Sequence, residues 1–181
     1  MPSNDEASLS NTVTQLLRQL AAAQAGPGRC AQPVGIIGPG NGGSVECLAA
    51  YQVAHALARA GMAIVCGGRG GVMEAASHGA HDAGGVAIGI LPEEDTSAAN
   101  KYLTVAIPTG MGEMRNALIA RSSICLVAIG GGMGTISEMA LGLKWGKAVF
   151  ALYEEIALPG TRSTQSVDQL IESTVTWLLQ R

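Results

Sequence analysis

Aromatic side chains are scarce: two Trp, three Tyr and one Phe make up 3% of the 181 residues. Proteins that read nucleic-acid bases by stacking need more rings than this. Charge is scarce as well, at 14% against a typical ~25%. What charge there is sums to -3, with no basic excess to neutralise a phosphate backbone, so nucleic acid is not an expected partner. Long apolar runs are missing too. The uncharged stretches 30–45 and 122–137 are interrupted by glycines and fall short of the ~18 apolar residues a spanning helix needs, so no membrane partner is expected. The opening segment MPSNDEASLS is acidic and polar, unlike a secretory signal, and the expected location is the cytoplasm. Cys30, Cys47, Cys66 and Cys125 form no CxxC pair, which speaks against a zinc knuckle or a disulfide framework.

Glycine, by contrast, is abundant at 25 of 181 residues, about twice the usual ~7%. Hydrophobic residues reach 48%, enough to build a sizeable core. Leu9, Val13, Leu16, Leu17 and Leu20 recur at helical spacing, and Gly26, Pro27, Gly28 and Pro33 follow as a linker. Residues 1–32 therefore read as a helix and linker, and residues 33–181 as the domain proper. That domain alternates apolar runs (34–37, 62–66, 86–91, 103–107, 124–129 and 148–152) with helical stretches near 44–60, 71–83, 112–122, 134–144 and 165–180. Most runs are unbroken rather than alternating, as strands covered on both faces of a parallel sheet are. The pattern predicts a single α/β domain: a Rossmann-like, doubly wound parallel sheet preceded by a helix.

Three glycine clusters fall where a predicted strand hands over to a helix, the edge at which such sheets bind ligands. The first, Gly38-Pro39-Gly40-Asn41-Gly42-Gly43, matches GxGxxG and opens a helix that Ser44 is placed to cap. It is either a phosphate turn or a tight turn that lets helix pack on strand. The second is Gly67-Gly68-Arg69-Gly70-Gly71, and the third Gly130-Gly131-Gly132-Met133-Gly134-Thr135. Backbone without Cβ atoms can bring several N–H groups close to a phosphate.

Two nucleotide chemistries are disfavoured. A dinucleotide fold wants an acid about 20 residues past its glycines, but the next strand ends in Cys66-Gly67-Gly68-Arg69. No GxxxxGK[ST] occurs either, since Gly142 and Gly146-Lys147 have the wrong spacing. Glu138, one turn past Gly134, is either a charge complementing the helix dipole or a functional acid. Glu74, His78 and His81 share a helix face, yet no second motif converges on them and no metal site is assigned. Met73, Met111, Met114, Met133 and Met139 gather around the motifs as core or pocket wall.

The run from Gly130 through Gly134-Thr135 to Glu138, preceded by Met111-Gly112-Glu113-Met114-Arg115-Asn116, resembles the PGGxGTxxE signature of the Lonely Guy (LOG) family and its upstream Arg segment. Gly67 to Met73 resembles that family's GGGxxGLM turn, so three motifs in order cover about two-thirds of the chain. Gly130 stands where the family has proline, a mild change, and Asn116 where cytokinin-activating members have lysine. The pattern is similar to a side branch that includes molybdenum-cofactor carrier proteins.

The resemblance implies catalytic roles for Glu138, which would stabilise positive charge on a ribose ring, and Arg115, which would hold phosphate or ribose oxygens. Arg115 is otherwise a salt-bridge partner of Glu113 or Glu138, and Thr135 is either a phosphate contact or a helix cap. The phosphate cradle would comprise Gly131, Gly132, Met133, Gly134 and Thr135. Gly38, Gly40, Asn41, Ser44, Gly67, Gly68 and Arg69 would bind the same ligand from the other two turns. Two functions follow: an AMP-like ligand is bound with hydrolysis of the N-glycosidic bond of a nucleoside 5′-monophosphate, or the molybdenum cofactor is carried without catalysis. No cofactor is required, the partner is a phosphorylated small molecule, and a homodimer or homotetramer is expected. The helix 136–143 carries more apolar surface than one sheet face needs, which either a second copy or the N-terminal helix would cover.

Overall fold

Strand and helix alternate from Val34 to the C-terminal helix, and the order of the strands decides where a ligand can sit. The structure, a computed structural model, describes residues 9–152 and 158–181. Among these the elements are α1 (Asn11–Ala25), β1 (Val34–Ile37), α2 (Ser44–Arg59), β2 (Ile64–Cys66), α3 (Val72–Asp82), β3 (Ala87–Leu91) and β4 (Val105–Pro108). A 3-10 turn (Gly112–Arg115) then leads into α4 (Asn116–Ser122), followed by β5 (Leu126–Ile129), α5 (Met133–Lys144), β6 (Val149–Leu152), β7 (Arg162–Thr164) and α6 (Val167–Leu179). The sheet runs β4-β3-β2-β1-β5-β6-β7, with every neighbouring pair parallel. Successive strands step outward one way from β1 to β4, then the other way from β5 to β7. That reversal opens a crevice at the carboxyl ends of β1 and β5.

The unbroken apolar runs have a direct explanation. Along each central strand, alternate residues enter different cores: Ile36, Ile64, Val127, Ile129 and Phe150 pack with α1, α2, α3 and α6, whereas Ile37, Val65, Leu126, Ala128 and Val149 pack with α4 and α5. Both faces are covered, so both sets must be apolar. Each fully buried Ile, Leu or Phe contributes ~1.5–3 kcal/mol. Helix α1 is capped by Ser10, whose hydroxyl accepts from the Val13 N–H, while the Ser10 N–H donates to Asp168 of α6. Its buried Val13 and Leu20 join the core of the α2, α3 and α6 face, so α1 does not cover α5.

Four local expectations differ from the structure. Strand β7 carries Arg162-Ser163-Thr164, and its polarity, tolerable at a sheet edge, hid it among the apolar runs. The run 103–107 yields an edge strand, with Val105 and Ile107 exposed, while Leu103 packs toward Gly68 and Gly89. The stretch 112–122 divides into the 3-10 turn and α4. Ser44 is the first residue of α2 rather than its cap; Gly43 holds that place with no side-chain bond. No helix among the described residues is long and apolar enough to cross a membrane.

Candidate functional site

A cavity of about 790 Å³ opens at the carboxyl edge of the sheet, where the turns after β1, β2, β3 and β5 meet. The β1–α2 turn supplies Gly38, Pro39, Gly40 and Asn41, and the β2–α3 turn supplies Arg69 and Gly70, with Met73 behind them. Pro92 and Glu93 follow β3. Gly112, Glu113, Arg115 and Asn116 come from the 3-10 turn and α4, and Gly132, Gly134, Thr135 and Glu138 from the start of α5.

Two of the glycine turns are packed against each other. Gly71 adopts φ 64, and a side chain there would collide with the Gly40 carbonyl. The neighbouring Val72 N–H donates to the Pro39 oxygen at 3.1 Å. The β2–α3 turn is held from its other side by Asn100. The Asn100 N–H donates to the Gly68 oxygen at 2.9 Å, and its Nδ2 donates to Gly68 O, Arg69 O and Ser77 Oγ at 3.1, 3.2 and 3.2 Å. Sequence reasoning missed Asn100, which belongs to no motif and whose Oδ1 also accepts from the Tyr102 N–H.

Arg115 and Glu138 form the charged floor of the cavity. Both are buried, at 7% and 6% exposure, and Arg115 Nη1 lies 4.0 Å from Glu138 Oε1. That is an ion-pair distance but too long for a hydrogen bond. Arg115 Nε is buried with no hydrogen-bond partner among the described residues. Burial pushes the Glu138 carboxyl up to about 8, against the opposing pull of Arg115. Burial also lowers the Arg115 guanidinium from its usual value, with Glu138 opposing, although an arginine stays charged at any physiological pH. Burial thus favours the protonated form of the acid beside the cation, and the cation keeps an unused donor. At the rim, Arg69 Nη2 meets Glu93 Oε1 at 2.5 Å, and Glu93 Oε2 is buried without a partner.

Of the residues expected from sequence, the fold brings Gly38, Gly40, Asn41, Arg69, Arg115, Gly132, Gly134, Thr135 and Glu138 together around the cavity. Gly67 and Gly68 are buried away from its lining, while Ser44, Gly131 and Met133 face solvent, Met133 at 84%. Thr135 is not the cap of α5, a position taken by Gly132; it lies buried in the first turn. Glu138 lies beyond that first turn and is buried, so it is not among the first-turn charges that would complement the helix dipole. The Arg115 alternative is partly realised, with Glu138 rather than Glu113 beside it.

Asn116, where lysine was the comparison, donates from Nδ2 to Ser137 Oγ at 3.1 Å and so links α4 to α5. Glu74, His78 and His81 do not converge: His78 pairs with Asp82 at 3.2 Å and stacks on Tyr102 at 4.0 Å. Among the described residues no cluster of three or more His, Cys, Asp or Glu could hold a metal. Pro92 and Glu93 were missed, although their position just past β3, on the ligand edge, is a signal that sequence could have supplied.

A family model described as the SLOG cluster4 family matches residues 31–176. The molybdenum cofactor binding protein from the phototrophic bacterium Rippkaea orientalis is similar in structure, with TM-score 0.77 and 34% identity over 81% of this chain and 98% of that one. The molybdenum cofactor carrier protein of Chlamydomonas reinhardtii gives a TM-score of 0.73 and 32% identity over 83% of this chain and 99% of that one. In sequence, a cytokinin riboside 5′-monophosphate phosphoribohydrolase of Rhodococcoides fascians is 34% identical over 111 residues, 59% of this chain. The chain spans 56% of that relative's length.

Proposed function

The chain belongs to the SLOG cluster4 family, and on that premise we propose that its cavity binds a phosphorylated small molecule of nucleotide or pterin type and serves as a carrier. The observation that carries this reading is Arg115: a buried cation with an unpartnered Nε, lining a cavity edged by glycine turns. A buried unsatisfied donor costs ~1–3 kcal/mol, and an arriving phosphate offsets that cost with charge-assisted hydrogen bonds. The molybdenum cofactor fits these residues chemically, because its pterin ends in a phosphate suited to the Arg115 floor and the backbone N–H groups at Gly132 and Gly134. Similarity over nearly the full length of two molybdenum-cofactor proteins supports the carrier role.

A second reading, hydrolysis of a nucleoside 5′-monophosphate, is favoured by one observation: Glu138 and Arg115, the two residues to which the resemblance gives catalytic roles, stand side by side. In that reaction water adds to the anomeric carbon, the C–N bonding pair leaves with the base, and the water's proton neutralises the base. An ionised Glu138 would stabilise the ribosyl cation. Burial raises its carboxyl and so disfavours that ionised form, which places this reading second. Either reading carries with it a cytoplasmic location and a dimer or dimer of dimers.

Calorimetry with AMP, adenosine and the molybdenum cofactor tests the proposal. AMP should bind at least tenfold more tightly than adenosine, since each charge-assisted bond is worth ~1.5–3 kcal/mol. Equal affinities overturn the phosphate reading. Catalytic release of adenine from AMP, followed by chromatography, replaces the carrier with the hydrolase.

A further inference from the structure

We infer that Glu93 holds Arg69 in reserve, so that an anionic ligand must compete with Glu93 for the second cation of its own site. The inference rests on the phosphate-binding reading and deepens it by naming what sets the affinity. The cavity has two cations, one on its floor and one on its rim. Arg115 is buried beside Glu138 with its Nε unpartnered, whereas Arg69 is half-exposed at 52% and tied to Glu93 at 2.5 Å. Backbone geometry keeps Arg69 where it is, because Asn100 clamps both the Gly68 and Arg69 carbonyls.

The pair is unequal in its needs. Glu93 has a second oxygen buried without a partner, so Arg69 is the main compensation for its charge. Arg69 still reaches solvent and lines the cavity beside Glu93 and Arg115. A phosphate arriving at Arg115 gains Arg69 only by drawing it off the Glu93 carboxylate. Glu93 thus weakens binding while belonging to the site. A protein that must hand its ligand on has use for such a brake, since release is faster when a resident carboxylate reclaims the cation.

The prediction has an unusual sign: removing a charged residue that lines the cavity tightens binding. With AMP as the probe, Glu93→Gln should lower Kd about twofold to fivefold at ~0.1 M salt, the range an exposed ion pair can supply. Arg69→Gln should raise Kd at least threefold, and in the double variant the gain from Glu93→Gln should vanish. Weaker or unchanged AMP binding by Glu93→Gln with an unshifted melting temperature overturns the inference. If Glu93→Gln fails to fold, Arg69→Gln decides alone, and an unchanged Kd overturns it. Wild-type protein that binds neither AMP nor inorganic phosphate rejects the reading of the site itself, and the inference with it.

Discussion

The guanidinium of Arg115 lies in the space that a side chain at Gly67 would occupy: a Cβ there would collide with both terminal nitrogens of Arg115 and with the sulfur of Met73. Gly67 is thus absent from the cavity lining yet decides whether the cavity has its cation. Gly67→Ala should displace Arg115 and raise the Kd for AMP at least tenfold, while stability falls little, because the atoms that must move are the far ends of the Arg115 and Met73 side chains. Calorimetry and thermal melting read the two effects separately. Wild-type affinity in the alanine variant rejects this account of Gly67.

Glu138 should make stability depend on pH in the direction opposite to an ordinary carboxylate. Burial raises its carboxyl from the ordinary 4.5 to about 8, so the folded protein keeps a proton that the unfolded chain releases. Stability therefore declines as pH rises through that window, at up to ~1.4 kcal/mol per unit for one proton, and levels off above it. Glu138→Gln should flatten the decline. Urea titrations of both proteins between pH 5 and 9 check this, and parallel curves would falsify the burial argument.

The same ionisation should weaken anion binding. A phosphate monoester is already mostly dianionic at pH 7, because its second pKa is ~6. Between pH 7 and 9 the change at the site is then the charge appearing on Glu138, 4.0 Å from Arg115. AMP affinity should fall several-fold in wild type and stay level in Glu138→Gln. Any adenine release should instead rise over that range and disappear in the glutamine variant. Loss of affinity with pH in both proteins points to a different group.

Gly130 should reject the residue that the LOG signature places there. Its φ is 63, and proline is locked near −65°. The exchange, mild on paper, marks a β5–α5 turn shaped differently from one that starts with proline. Gly130→Pro should unfold the turn and abolish AMP binding, whereas Gly130→Ala should cost only ~1–2 kcal/mol. A proline variant with wild-type melting and affinity would show that the turn can reshape freely.

Self-association is expected on the side of α5. Met133 and Met114 are 84% and 73% exposed, and α1 lies on the other face of the sheet, unable to cover them. Sedimentation at micromolar concentration should give at least twice the 18.4 kDa chain mass. A clean monomer rejects the expectation, and Met133→Glu should shift the equilibrium toward it.

The local chemistry of this protein was written along the chain. Unbroken apolar runs at β1, β2, β5 and β6 announce strands covered on two faces, and glycines at the ends of β1, β2 and β5 announce the turns where a ligand meets backbone. The pairing of Arg115 with Glu138 was foreseeable from a motif, because both flank one strand. Three things needed the folded molecule. Arg69 faces Glu93 only because β2 and β3 lie side by side in the sheet, and Asn100 reaches Gly68 only because the chain returns after β3. The raised proton affinity of Glu138 follows from burial by segments distant in sequence, and no single residue or spacing encodes that desolvation. Backbone preference is a property of neighbours along the chain, whereas burial and charge pairing belong to neighbours in space, and only folding chooses those.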